Sequence, residues 1–325
     1  MSSINLPARL AVAAETVPGY IDDIDLVADF LGDQSPHTAR AYDGDLRDFS
    51  RFLGVSGPHA AVATLLTHGP AAANRVCLKY KIDMHGRGLR TNTVSRRISC
   101  LRSVVNLARR LGRISWQLDC SARRGEVYLN TAGPTTAGWD AMRRAAAEQA
   151  AGGSLVAVRN RSLIRLTHDL GLRIGEAVSI DLEHVDLGGE KPGVWVLGKG
   201  ERERKRLSIA ENTMPSLLAW LLRRGDDPGP LYFRLDCAAA GPGRLTTRSA
   251  ARIVGKLAKR AGIERTVSPH QLRHHAITEV LIRNGGNVFK AQRFSRHKDL
   301  NTLRYYIDAI EDYAGEMAAL ISDED

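Results

Sequence analysis

The stretch Ser268–Leu281, SPHQLRHHAITEVL, predicts a helix whose first turn carries a cation and an imidazole. Ser268 followed by Pro269 is typical of a helix start, because proline is favoured in the first turn. His270 and Arg273 are three residues apart and therefore share one face, where the positive end of the helix dipole adds to their attraction for an anion. The pattern indicates an anion-binding site at the start of a helix.

The same stretch also allows a metal site. His270 and His274 have the i,i+4 spacing of two ligands to one metal ion, and His275 is adjacent. Apart from Glu279, the stretch offers no carboxylate or thiolate partner, so the metal site stays an alternative. The chain also lacks a Walker-type glycine loop, a dinucleotide fingerprint, HExxH, GxSxG and a clustered set of acids. This absence argues against a two-metal nuclease or polymerase, since such an enzyme needs several carboxylates to hold its ions.

Upstream, two further segments carry cations at exposed turns. Arg173 lies in DLGLRIGEAVSI, where Gly171 can end the preceding apolar helix, so we expect Arg173 at a helix junction. A surface position, or an ion pair with Glu176, is the alternative interpretation. Lys199 occupies the predicted turn of a β-hairpin in VLGKGERERKRL, and such a lysine can also be merely solvated. The return strand is basic, which favours a loop that reaches a DNA groove, and we assign Arg202 and Arg204 to that contact.

Downstream, FSRHKDLNTLRYYID contains His297 and, nine residues later, Tyr306, with Tyr305 beside it. A tyrosine hydroxyl near cations is a candidate nucleophile, provided that a base takes its proton.

The overall charge points to a polyanion. The chain has 325 residues, with 46 Lys plus Arg against 36 Asp plus Glu, a net charge of +10 and a sequence pI of about 9.7. Nucleic acid is the simplest partner, although a basic excess also serves solubility. Four scattered cysteines argue against a disulfide framework. With no signal peptide or membrane-spanning stretch visible, we expect a soluble, cytoplasmic protein without membrane partners.

Much of this charge lies between Gly86 and Arg113, a stretch without a single acid. Its predicted helix has an apolar stripe and an opposite face of Arg, Ser and Asn. A solvated helix normally mixes charge signs, so phosphate contact explains this face better than solubility alone. The arginines that we assign to DNA here are Arg87, Arg90, Arg96, Arg102, Arg109 and Arg110.

The pattern along the chain predicts two domains. Residues 1–20 form a flexible lead, 21–118 a helical domain, 119–134 a linker punctuated by Gly and Pro, and 135–325 a second domain. Helices are predicted at residues 22–31, 36–53, 60–66, 71–85, 93–111, 136–151, 158–170, 210–224, 247–261, 269–284, 288–294 and 302–306, and hairpin strands at 194–197 and 204–209.

Four segments, LGLRIGE, GKG, HQLRHHAIT and RHKDLNTLRYY, resemble in this order the motifs of the tyrosine recombinase (phage integrase) family, in its simple two-domain Cre/Xer-like subgroup. The resemblance covers the second domain and extends more loosely to SPHTARAYDGDLRDFSRFL and TNTVSRRISCLRSVVNLAR in the first. It implies a mainly α protein of the DNA breaking-rejoining enzyme fold. An all-helical core-binding domain would precede an α-rich catalytic domain with a small β-sheet or hairpin.

The resemblance also implies a role for each singled-out residue. Tyr306 would attack the scissile phosphate and form a 3′-phosphotyrosyl bond; Arg173 and Arg273 would hold the phosphate oxygens. Lys199 would protonate the departing 5′-oxygen, His270 would help to move the tyrosine proton, and His297 would donate a hydrogen bond to the phosphate. Glu176 would support the arginine before it. No metal, ATP or other cofactor is implied.

Two departures from the family pattern stand out. Arg296 occupies a position where the family usually has glycine, which could alter the local turn or add a phosphate contact. Tyr305 beside Tyr306 leaves a second candidate nucleophile, although the register favours Tyr306.

The partners implied are double-stranded DNA and further copies of the chain: a tetramer on DNA, and a monomer or weak oligomer off it. The apolar stripe of a predicted helix at residues 309–322 would dock into a neighbouring protomer, or pack within its own chain. Two other functions remain open: a catalytically silent DNA-binding or architectural protein of the same fold, and a type IB topoisomerase.

Overall fold

The computed structural model describes residues 25–121, 133–198, 200–235 and 243–297. The chain divides into two compact units, Met1–Tyr128 and Leu129–Asp325. Each unit has its own hydrophobic core. The predicted lead, residues 1–20, and the predicted C-terminal helix, residues 309–322, lie outside the described residues.

The first unit is built from helices. They are α1 (Leu26–Gly32), α2 (Pro36–Leu53), α3 (Pro58–Thr67), α4 (Gly69–Gly86) and α5 (Thr91–Arg110). Helix α2 begins as predicted, because the Ser35 hydroxyl accepts a hydrogen bond from the Thr38 backbone N–H. It ends at Gly54, whose φ of 70° favours a residue without a Cβ. The apolar stripe predicted for α5 is confirmed: Val94, Ile98, Leu101, Val105 and Ala108 are buried.

A buried carboxylate on α2 ties three helices together. Asp48, with a side chain only 5% exposed, accepts hydrogen bonds from the Tyr80 hydroxyl at 2.7 Å and from Arg87 Nη2 at 2.8 Å. Arg97 of α5 donates to the same oxygen as these two groups. Burial favours the neutral acid, but the hydrogen bonds from Arg87 and Tyr80 and the charge of Arg97 outweigh it and hold the pKa of Asp48 well below its usual range.

Asp48→Asn is therefore expected to destabilise the first unit by about 2 kcal/mol, because it removes a buried charge that accepts hydrogen bonds from Tyr80, Arg87 and Arg97. Since folding lowers the pKa of this acid, its contribution is fully present above the unfolded pKa of about 4 and is lost as the pH falls further. Urea unfolding at pH 7 and at acid pH measures both effects. Equal stability of Asp48→Asn and wild type at pH 7 would contradict this account.

The second unit contains seven helices in its described part. They are α6 (Thr136–Ala151), α7 (Leu155–Asp169), α8 (Ile174–Val178), α9 (Met214–Arg224), α10 (Thr247–Arg260), α11 (Pro269–Arg283) and α12 (Val288–Ser295). Helix α8 was not predicted, since five residues are too few to show a helical period. The other six confirm their predicted helices to within a few residues at each end.

A small antiparallel sheet completes this unit: β1 (Val185–Asp186), β2 (Gly193–Leu197) and β3 (Arg204–Ser208), in that order. The predicted hairpin is confirmed, with Val196 opposite Lys205. Val194 and Val196 are buried and Trp195 is exposed, which is the alternation of a strand with one covered face. The two-residue β1 was not predicted. The mainly α fold with a small sheet is thus as expected, and no helix within the described ranges is long and apolar enough to cross a membrane.

Candidate active site

The site is assembled around Gly171, the second residue after helix α7. Gly171 has a φ of 54°, and a Cβ here would lie 2.7 Å from the Phe294 ring. Both the left-handed backbone and the close approach of α12 therefore favour glycine. The chain turns at this point, and three residues later α8 begins.

Arg173 stands at the junction before α8, as predicted, and it is paired with Glu176. Its Nη1 donates to Glu176 Oε1 at 2.7 Å, and its backbone N–H donates to Glu176 Oε2 at 2.9 Å. The Arg173 side chain is 36% exposed, whereas that of Glu176 is 3% exposed. The buried acid thus holds the backbone and the head group of an arginine that reaches the surface.

The start of α11 positions His270 and Arg273. The Ser268 hydroxyl accepts from the Gln271 N–H at 3.3 Å, and Gln271 Oε1 accepts from the Ser268 N–H at 2.8 Å, so the helix begins with a reciprocal cap. His270 is exposed in the first turn. One turn on, Arg273 is 2% exposed and donates to the backbone carbonyls of Gly171 and Ser295.

His297 follows α12, whose last turn is held by the contact between Arg273 and Ser295. The backbone carbonyl of His297 accepts a hydrogen bond from Gln292 Nε2 at 3.1 Å. Burial, followed by the charges of Arg273 and Arg173, lowers the pKa of His297 to about 4.

His270 responds to the same two cations. Partial burial, then the charges of Arg273 and Arg173, lowers the pKa of His270 below its usual range. The cations and imidazoles of three separate segments therefore share one electrostatic environment. Both histidines are neutral at pH 7 in the free protein, so each has one ring nitrogen that can accept a proton and one that donates.

The other predicted site residues are distributed as follows. Lys199 and Tyr306 lie outside the described residues. Arg202 is exposed near the hairpin turn and Arg204 is half-buried on β3.

The arginines assigned to DNA in the first unit fall into two groups. Arg87 and Arg96 pair with the buried Asp48 and Asp45 of α2, so acids from a distant part of the sequence neutralise some of the acid-free stretch. The others are exposed: Arg90, Arg102, Arg109 and Arg110. Arg109 and Arg110 line a groove of about 390 Å³ with Ser103 and Asn106, beside the end of α1.

One basic surface in the second unit was not singled out from the sequence. Helix α10 has no acid, and it carries Arg248, Arg252, Lys256 and Arg260 at four-residue intervals while Val254 and Leu257 are buried. The last three of these cations line a cavity of about 610 Å³. The absence of acids, which drew attention to α5, would have identified this helix as well.

The histidines of α11 do not gather metal ligands in the described part of the chain. The group of potential ligands found there is Asp181, Glu183 and His184, on the surface before β1. Asp181 already pairs with Arg244, and His184 Nδ1 accepts from the Asp181 backbone N–H at 2.9 Å. Asp181 and His184 are therefore already engaged in contacts with other protein groups.

The Phage integrase family profile matches residues 142–312, more than half of the chain, including every segment that forms the cluster. The chain belongs to the phage integrase family. A tyrosine recombinase of Synechococcus elongatus is 33% identical over 313 residues, which cover 94% of this chain and 96% of the relative. A second, from Synechocystis, is 29% identical over 296 residues, covering 89% and 92%.

Solved structures of phage integrase relatives share the fold. The Tn1549 transposon integrase in complex with transposon right end DNA matches with a TM-score of 0.68 at 15% identity, over 91% of this chain and 98% of that one. The post-cleavage complex of the XerH site-specific recombinase on difH matches with a TM-score of 0.62 at 16% identity, over 92% and 95%. The chain is thus a tyrosine recombinase in family and fold, as the sequence motifs indicated.

Proposed function

We propose that this tyrosine recombinase cleaves and rejoins duplex DNA at a specific site through Tyr306, with the cluster around Gly171 binding the scissile phosphate. The observation that carries the proposal is that three segments meet at Gly171: Arg273 donates to the carbonyls of Gly171 and Ser295, and Arg173 is held by Glu176 just after this turn. The charges of both arginines act on His270 and His297. A phosphodiester gains negative charge on its non-bridging oxygens as it is attacked. Two guanidinium groups held in advance stabilise that charge without reorganisation.

The proposed reaction balances without metal or ATP. The Tyr306 hydroxyl gives its proton to the neutral His270, its oxygen bonds to phosphorus, and the bond from phosphorus to the 5′-oxygen breaks. Lys199 donates a proton to that oxygen, which leaves as a hydroxyl, while His297 donates a hydrogen bond to the phosphate. The phosphotyrosyl ester conserves the energy of the broken bond, so attack by another 5′-hydroxyl reverses the steps.

DNA binding is assigned to basic surfaces outside this cluster. In the first unit these are the exposed arginines of α5 with Arg90, and in the second unit the hairpin residues Arg202 and Arg204 together with the α10 row. We further propose that the active form is a tetramer on two duplexes, assembled through residues 309–322. The basic surfaces of both units would supply affinity by releasing counterions from DNA.

We expect the triple variant Arg102→Ala, Arg109→Ala, Arg110→Ala to bind duplex DNA with a weaker salt dependence. Each lost phosphate contact lowers the slope of log K against log salt by about 0.9, so the slope should fall by about 2 to 3. Fluorescence anisotropy between low and moderate salt measures it. Arg47→Ala, which removes an exposed cation of α2 paired with Asp43, is the control and should leave the slope unchanged. An unchanged slope in the triple variant would mean that these arginines of α5 do not contact DNA phosphates.

The function itself is tested with a nicked suicide substrate that contains the recognition site, mapped first in host DNA. Covalent protein–DNA adduct that survives denaturation supports the proposal. DNA binding without adduct indicates a silent architectural protein, whereas relaxation of plasmids that lack the site, by a monomer, indicates a topoisomerase.

A further inference from the structure

Arg296 has a backbone conformation that disfavours its own side chain. It closes α12 with φ 58° and ψ 34°, and it is the one non-glycine residue with positive φ among those that the structure describes. The turn is therefore the one that glycine adopts freely, and the arginine does not alter it. A left-handed L-residue costs roughly 1–2 kcal/mol, so its contacts must offset that cost.

Those contacts point inward, not toward a bound phosphate. Arg296 Nη1 donates to the carbonyls of Leu170 at 3.1 Å and Phe294 at 2.9 Å. Its Nη2 donates to the carbonyl of Gly171 and to Glu176 Oε2, both at 2.9 Å. The side chain is 9% exposed. One guanidinium thus joins the end of α12 to the end of α7 and to the acid of α8.

We propose that Arg296 is a positioning residue that orients both phosphate-binding arginines, which rests on the function proposed above. It acts on Arg173 through Glu176, whose two oxygens hold the Arg173 head group and backbone. It acts on Arg273 through Gly171, whose carbonyl accepts from both arginines.

The ion pair between Arg296 and Glu176 also sets the net charge at the proposed phosphate-binding site. Glu176 alone would place a buried negative charge against Arg173 and weaken its attraction for an anion. Arg296 donates to Glu176 Oε2, whereas the Arg173 guanidinium donates to Oε1. The two arginines and the one acid together carry a net positive charge. The Arg173 side chain, 36% exposed, is the most accessible of the three.

The test is Arg296→Gly, which keeps a residue suited to the left-handed turn. We expect adduct formation on the suicide substrate at saturating protein to slow by about 10- to 100-fold, since displacement of a binding group by 1 Å can cost ~10²-fold. DNA affinity should change little. The melting temperature should fall, because the buried Glu176 loses one of its partners, so the rates are compared well below it. Arg296→Lys restores the charge beside Glu176 without the planar fork, so it should recover part of the rate.

A double-mutant cycle with Glu176→Gln identifies the route. If Arg296 acts through Glu176, Arg296→Gly should slow the reaction much less in the Glu176→Gln background than in wild type. Arg293→Ala, an exposed cation on the same helix, is the control and should react as wild type does. A wild-type rate in Arg296→Gly overturns the inference, and equal slowing in both backgrounds overturns the route through Glu176. Neither result affects the proposed function, which is tested separately by adduct formation in the wild type.

Discussion

Replacing Tyr306 with phenylalanine is expected to abolish the covalent DNA adduct, with a loss of about 10⁴-fold or more, because it removes the oxygen proposed to attack the phosphorus. A ring of nearly the same size remains, so DNA affinity and thermal stability should stay close to wild type. Denaturing electrophoresis of the protein with a labelled suicide substrate measures the adduct, and anisotropy on intact duplex measures binding.

Tyr305→Phe is the matched control, since it removes the neighbouring hydroxyl and should leave adduct formation within a fewfold of wild type. If Tyr305→Phe abolishes the adduct and Tyr306→Phe does not, the nucleophile is Tyr305. If both single variants still form the adduct, another side chain forms the bond.

The second large effect is expected from the arginine pair. Arg273→Ala should slow adduct formation by about 10³-fold, as removal of charge clamps does in phosphoryl transfer. Arg273 also binds two backbone carbonyls, so its removal can disturb the fold. Arg173→Ala, at a partly exposed position, provides the cleaner measurement and should lose a comparable factor. Single-turnover rates at saturating protein separate this loss from DNA binding.

Arg283→Ala is the control for this pair, because it removes an exposed cation from the last turn of the helix that carries Arg273. It should retain a wild-type rate and melting temperature. A rate in Arg173→Ala within a fewfold of wild type, in a folded protein, would contradict its role as a phosphate ligand.

Local signals in the sequence predicted most of the helices and the hairpin. Ser35 and Gly54 mark the ends of α2 because capping depends on neighbours in the chain. Helix α8 and strand β1 escaped prediction since they are too short to display a period and exist through packing. Family membership followed from motifs that keep their order and spacing.

Contacts between distant segments could not be predicted in the same way. The acids that neutralise Arg87 and Arg96 lie on α2, outside the acid-free stretch from Gly86 to Arg113 in which these arginines were identified. The sequence likewise left two possibilities for Arg296, an altered turn or a phosphate contact, and the structure places its guanidinium on Glu176 instead. Three of its partners, Leu170, Gly171 and Glu176, lie more than one hundred residues away in the chain, a distance over which spacing rules predict nothing.

The crowding at Gly171 sets where this protein can tolerate change. A side chain there would have to adopt a left-handed backbone and displace the Phe294 ring, which lies beside the Ser295 carbonyl that accepts from Arg273. Substitutions of Gly171 are therefore expected to disturb the phosphate-binding cluster. The exposed arginines of α5 lie over a separate hydrophobic core, so substitutions on that surface should leave the packing around Gly171 unchanged.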